Sequence, residues 1–356
     1  MDVFDCRHHD EVINYDDMHN QYANDYQEHK DRVNESPGNA GGPEANAAND
    51  PLLAPHLVNA RWHELALMSS PALKEFAASA EWASLGCYCG PARALQLLDL
   101  RKKAYPFDFM RSDVKGVIHL LQTRFVDFFN TSGPPQPGAV PGELCYSTTW
   151  GGSFWHHDIT QPKVREQFTR RCERLLGKDK SIPVKKTRVF VHVVNGSLGV
   201  PLVHELHRAL QQALPKCRVY LLTLIDGQAG EEADRIHYTK HPTVLFYKIP
   251  KDLWTLGNFE GLNTLADAYT HGIAHAIRIW SGVEKARELP NLRSVADSLI
   301  PFYATNPAHH LYNILEGQPE FASYSQAMQP VVHKAYVEED EEIMDDGNCA
   351  SGCTVS

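Results

Sequence analysis

The chain has 356 residues, 43% of them hydrophobic and 10% aromatic, which is enough for one large or two smaller globular domains. Its net charge of −10 argues against nucleic acid as a partner, because phosphate binding needs a basic face. No apolar run reaches the length of a membrane span, and Met1-Asp2-Val3-Phe4-Asp5 carries neither a secretory signal nor the Gly needed for myristoylation.

Residues 1–54 are polar, rich in Asp, Asn and His, and pass through Ser36-Pro37-Gly38 and Gly41-Gly42-Pro43. Such a segment buries too little apolar surface to offset its ordering entropy, and it reads as a disordered arm. A folded domain is expected over 55–337. Trp62, Leu65 and Ala66, then Leu73, Phe76 and Ala77, have helical spacing, with Ser69 or Ser70 ahead of Pro71 as a cap.

A strand-like run then breaks into a helix at Gly86-Cys87-Tyr88-Cys89-Gly90-Pro91. Pro91 suits the first helical turn, and Ala94, Leu95, Leu98 and Arg101 continue at helical spacing. Cys89 therefore stands at the positive end of a helix dipole, where a thiol pKa is expected to fall and the nucleophilic thiolate to be favoured. A buried structural cysteine is the competing reading. Tyr105 to Phe109 reads as an extended aromatic stretch, Val114 to Phe129 as a helix, and 131–153 as a Pro/Gly-rich loop of functional length.

The second half reads as alternating α/β. Val189–Val194 is a strand, Pro201–Leu214 an amphipathic helix, Arg218–Ile225 and Thr243–Tyr247 further strands, and residues 262–280 a closing helix. The expected fold class is α/β, or α+β, with a mainly parallel sheet after the cysteine-bearing helix. Neither a dinucleotide nor a P-loop glycine pattern is present, so no cofactor is expected. Residues 286–337 are mixed in character. Residues 338–356 form an acidic tail, with seven acidic residues in the nine positions Glu338–Asp346.

A cysteine nucleophile needs a base, and Phe154-Trp155-His156-His157-Asp158 at the end of the long loop is the densest source of histidine after Cys89. His157 follows Cys89 by 68 residues, in the Cys-then-His order of papain-like enzymes but at a shorter separation. Asn195 or Asp158 could orient the imidazole, with Asp108 and Asp226 as further carboxylates, and nothing in the pattern chooses among them. The backbone amides of Cys89 and Gly90 are the natural oxyanion donors. Zinc is the rival use of Cys87, Cys89, Cys145, His156 and His157, but C-x-C without a second pair is a weak signal, and no metal is expected.

Cys353-Thr354-Val355-Ser356 fits the C-a-a-X prenylation pattern, its terminal Ser leaning toward farnesyl, and Cys349 is a candidate for palmitoylation. Eight scattered cysteines suit a reducing compartment. The expected location is the cytoplasm, with a membrane surface as partner only if those C-terminal cysteines are lipidated.

Ser84-Leu85-Gly86-x-x-Cys89-x-x-Ala92-x-x-Leu95, Leu100-Arg101 and Pro106-Phe107-Asp108-Phe109 together resemble the papain-like cysteine peptidase family DUF1796, which usually has Trp where this chain has Phe109. The resemblance extends over roughly residues 80 to 280 and is specific around Cys89. It implies a thiol hydrolase acting by Cys–His acyl transfer on a peptide or isopeptide bond, with Cys89 the nucleophile and His157, followed by Asp158, the histidine. The competing expectations are a glycan-modifying or transferase-type α/β enzyme using Asp108 and His157, and a non-catalytic, lipid-anchored binding module.

Overall fold

The computed structural model describes residues 50–131, 145–147, 149–154, 157–194, 199–228, 235–238, 241–250, 259–285, 287–297 and 299. The polar arm up to residue 49, the acidic tail, Trp155, His156, Asn195, Cys349 and Cys353 lie outside the described residues.

In chain order the elements are α1 (Pro55–Glu64), α2 (Pro71–Ser79), β1 (Glu81–Ser84), α3 (Gly90–Leu97), β2 (Met110–Arg111), α4 (Val114–Gln122), β3 (Cys145–Tyr146), β4 (Ser153–Phe154) and α5 (Pro162–Leu175). They continue with β5 (Arg188–Val194), α6 (Leu202–Ala213), β6 (Val219–Gln228), β7 (Arg235–Tyr238), β8 (Val244–Pro250), α7 (Phe259–Trp280), β9 (Arg287–Leu289) and α8 (Leu292–Asp297). The main sheet has the order β1-β5-β6-β8-β7-β9. Its strands β1, β5, β6 and β8 are mutually parallel, β7 runs antiparallel to β8, and β9 is parallel to β7. The mixed α/β class with a mainly parallel sheet is thus the observed one.

The central strands are mainly apolar because both sheet faces are covered. On β5, Val189, Val191 and Val193 join one core, while Phe190 and Val194 join the other. The first core is roofed by α2, α3 and α7, the second by α4, α5 and α6. The result is a three-layer sandwich. A small antiparallel sheet, β2-β4-β3, sits on the second face through Phe154.

The helix starts follow their caps. Ser70 accepts the Ala72 amide ahead of α2, and Asp113 accepts the Gly116 amide ahead of α4. Two expectations are corrected. Tyr105 to Phe109 is a turn rather than an extended stretch, because the Asp108 carboxylate accepts the Tyr105 amide at 2.7 Å and closes the chain on itself. The helix expected to reach Phe129 ends at Gln122, where Arg124 and Phe125 adopt positive φ and the chain continues as turns.

β1 and β5 are neighbours, yet the helix after β1 packs on one face and the helix after β5 on the other. Chain departures to opposite faces leave a crevice beyond the carboxyl ends of the two strands, the position at which open α/β sheets bind ligands. The turn carrying Cys87 and Cys89 occupies the β1 side of that crevice.

Candidate active site

The turn is built on two consecutive residues with positive φ, Gly86 at +80° and Cys87 at +88°. Such a φ is natural for glycine and costs a residue with a Cβ about 1–3 kcal/mol, so neighbouring groups must hold Cys87 there. Ser112 does so. Its hydroxyl accepts the Cys87 amide at 3.1 Å and donates to the Leu85 carbonyl at 2.9 Å, while its own amide donates to the Cys87 carbonyl at 3.3 Å. Gly86 has no room for a side chain, since a Cβ would collide with the Ser112 hydroxyl.

Cys89 caps the N-terminus of α3, and its carbonyl accepts the Arg93 amide at 3.0 Å. Its position at a helix start is as expected, but the sign of its pKa shift is not. Burial pushes the thiol up to about 12, overriding the lowering effect of its own backbone amide. The thiol is therefore neutral at pH 7, because desolvation disfavours the charged form more than the helix end favours it.

Tyr88, between the two cysteines, is turned inward against the α7 face. Its hydroxyl is hydrogen-bonded to that of Tyr269 on α7, and Tyr269 in turn donates to the two carboxylate oxygens of Asp226 at 2.8 and 2.7 Å. Asp226 lies near the carboxyl end of β6 and is fully buried; burial pushes its carboxyl up to about 8. Sequence reasoning named Asp226 only as one carboxylate among several. Its two tyrosine partners were missed, because Tyr88 and Tyr269 are 181 residues apart and no local pattern announces the contact.

The other expected residues stand elsewhere. His157 is buried, its ring packed edge-on against Phe168 at 5.0 Å within the aromatic core of the second face. The Cys89 helix belongs to the first face. Asp158 is half-buried and serves the entry to α5, accepting from the Thr160 amide, the Thr160 hydroxyl and Gln161. The Thr160 hydroxyl is the main cause of its lowered pKa. Asp108 is fully buried and its Oδ2 accepts from Arg101 Nε at 2.8 Å and Nη2 at 2.7 Å, which makes the Pro106-Phe107-Asp108-Phe109 segment a structural clasp.

A further polar residue was passed over within the β5 run. His192 is buried beside Leu85 and bonded to its carbonyl, and its pKa is pushed down to about 4 by burial. Its Nδ1 has no hydrogen-bond partner, nor has Oγ1 of Thr223, its register neighbour on β6. A histidine within an otherwise apolar strand run was the available signal. Among the described residues, no group of three His, Cys, Asp or Glu side chains is placed to hold a metal ion.

A three-layer α/β protein with a cysteine-bearing turn at the carboxyl ends of its parallel strands is the class these observations define. The family model described as Putative papain-like cysteine peptidase (DUF1796) matches residues 80–212, from β1 to the end of α6, and over that region the chain resembles this family. No curated protein and no solved structure matches the chain.

Proposed function

We propose that this protein is a cysteine hydrolase that cleaves a peptide or isopeptide bond by acyl transfer, with Cys89 as nucleophile. The observation that carries the reading is the placement of Cys89, at a helix start on the β1/β5 crevice, inside the region that matches the family. Because the thiol is neutral, attack and loss of its proton are concerted: Sγ bonds to the carbonyl carbon as the proton passes to a base. The amine then leaves with that proton, and water releases the acyl group from the thioester. The reading assigns the developing oxyanion to the amides of Cys89 and Gly90. It assigns the proton to neither His157, which packs on the face opposite the Cys89 helix, nor Asp158, which holds the entry to α5. The work is placed in the cytoplasm, at a membrane face where Cys353 and Cys349 carry lipid. No described helix is long and apolar enough to cross a membrane.

The test is turnover of pooled peptide and isopeptide substrates by the full-length chain and its Cys89→Ala variant. A loss of roughly 100-fold or more supports the reading. Turnover unchanged in the variant overturns it.

One observation favours a second reading, a non-catalytic binding module: a thiol held up near 12 is a poor nucleophile at rest. Such a module would bind peptide equally well before and after the Cys89→Ala substitution. Binding of the same pool to both forms, without turnover by either, selects it. The transferase reading loses its carboxylate, since Asp108 is committed to Arg101 and the Tyr105 amide.

A further inference from the structure

The polar chain from Asp226 through Tyr269 to Tyr88 lies next to the candidate nucleophile and has no part in the reaction as written above. Asp226 follows Ile225, which is in register with Val194, the last residue of β5, on the stretch of β6 that runs past β5 to Gln228. It therefore sits at the crevice end of the sheet. Strand alternation turns it toward the same face as Leu222 and Leu224, where Tyr269 of α7 meets it.

Two features tie this chain to the cysteines. Tyr88 is covalently flanked by Cys87 and Cys89, so anchoring its hydroxyl fixes the peptide units that carry both thiols. Gly90 is pressed between the two rings: a Cβ there would stand 2.8 Å from Tyr269 Cε2 and 2.9 Å from Tyr88 Cε2. The first turn of α3 is thereby seated on the tyrosine pair. Packing alone does not call for this arrangement, since apolar side chains of similar volume would fill the space without burying a carboxyl group.

We propose that Asp226, Tyr269 and Tyr88 form a proton-holding strut whose protonation state sets the reactivity of the Cys89 thiol. The three are positioning residues, and the proposal rests on Cys89 being the reactive group. With Asp226 neutral, its acidic hydrogen is donated to the Tyr269 oxygen. With Asp226 ionised, Tyr269 donates to the carboxylate and Tyr88 to Tyr269, and a buried negative charge appears on the cysteine side of the sheet. That charge disfavours the thiolate. The titratable groups facing Asp226 are Tyr269 from α7 and, beyond its hydroxyl, Tyr88 of the turn, whose own neighbours are Cys87 and Cys89. Arg93 on α3 is engaged by Asp50 and Asn263, and Lys248 of β8, in register with Ile225, alternates toward the opposite face. Burial places the Asp226 transition near pH 8.

The experiment is iodoacetamide alkylation of the full-length chain from pH 6 to 10, with fragment-ion mapping to separate Cys89 from Cys87. In the native protein the logarithm of the Cys89 rate should rise with pH and bend downward near pH 8. Asp226→Asn should remove the bend. Tyr269→Phe keeps the ring that packs on Gly90 but cuts the chain, and it should change the Cys89 rate about tenfold, equivalent to one pKa unit, while the Cys217 rate stays constant. An Asp226→Asn profile superimposed on the native one, or a Tyr269→Phe rate within about twofold of native, overturns the proposal. If Asp226→Asn does not fold, the Tyr269→Phe comparison decides alone. Alkylation needs no substrate, so failure to find hydrolysis leaves this result standing, and a profile without a bend refutes the strut without touching the hydrolase reading.

Discussion

Ser112 and Cys87 are joined by a reciprocal pair of hydrogen bonds: the Cys87 amide donates to the Ser112 hydroxyl at 3.1 Å, and the Ser112 amide donates to the Cys87 carbonyl at 3.3 Å. One serine from the β2 side thus holds a positive-φ cysteine in the turn ahead of α3. Ser112→Ala would strip the Cys87 amide and the Leu85 carbonyl of a buried partner. It should cost about 1–3 kcal/mol in urea unfolding. It should also speed iodoacetamide labelling of Cys87, because the turn would be released. Unchanged stability and labelling would show that the turn holds itself.

Asp108 and Arg101 make the other clasp near the site. Asp108→Ala leaves a mostly buried guanidinium without its carboxylate and should cost about 3–5 kcal/mol. Asp158→Ala removes only a partly solvated turn cap and should cost about 1 kcal/mol. Comparing the two by denaturant unfolding tests whether the Pro106–Phe109 segment is a fold determinant rather than a source of chemistry. Equal, small losses would contradict that assignment.

The pH dependence of stability follows from three buried groups. His192 and His207 are pushed down to about 4 from 6.5, both mainly by burial. Between those values the unfolded chain binds protons that the folded chain does not, so stability is lost as pH falls from 6.5 toward 4. Asp226 is pushed up to about 8 from 3.8, so the unfolded chain releases a proton that the folded chain keeps, and stability falls as pH rises across that interval. Below 6.5 the two histidines outweigh the one carboxyl; above it the carboxyl dominates up to about pH 8, beyond which the raised thiols of Cys89 and Cys172 add to the loss. These groups together place the stability maximum near pH 6.5. Melting temperatures across pH 4–9 check this: His192→Gln should flatten the acid limb and Asp226→Asn the alkaline one. Parallel curves for all three proteins would refute the assignment.

Much of the fold was readable because its signals are local. The apolar run Val189–Val194, the amphipathic Pro201–Leu214 segment and the Ser70-Pro71 start each specify an element from neighbouring residues, and β5, α6 and α2 follow. What was not readable depends on partners far along the chain. β2, β3 and β4 are two residues each and exist only through pairing, as Met110 with Phe154 does across more than forty residues. The site shows the same division. Cys89 at a helix start could be read from Gly90-Pro91, but the sign of its thiol shift depends on burial, which no spacing reports.

The C-terminal Cys353-Thr354-Val355-Ser356 gives a prediction independent of the fold. Full-length protein incubated with a farnesyl donor and a eukaryotic farnesyltransferase should gain one prenyl group, and Cys353→Ser should gain none. Incorporation that survives the substitution, or none in the parent chain, would remove the prenyl anchor.

The hydrolase reading is tested most directly by trapping the acyl-enzyme. Full-length protein is treated at neutral pH with an activated acyl ester of a short peptide, and the intact mass and peptide map are followed over time. A thioester should form on Cys89 and then decay by hydrolysis, and it should be absent from Cys89→Ala. An adduct of equal yield in Cys89→Ala, or a folded native protein that never acquires one at Cys89, would contradict it.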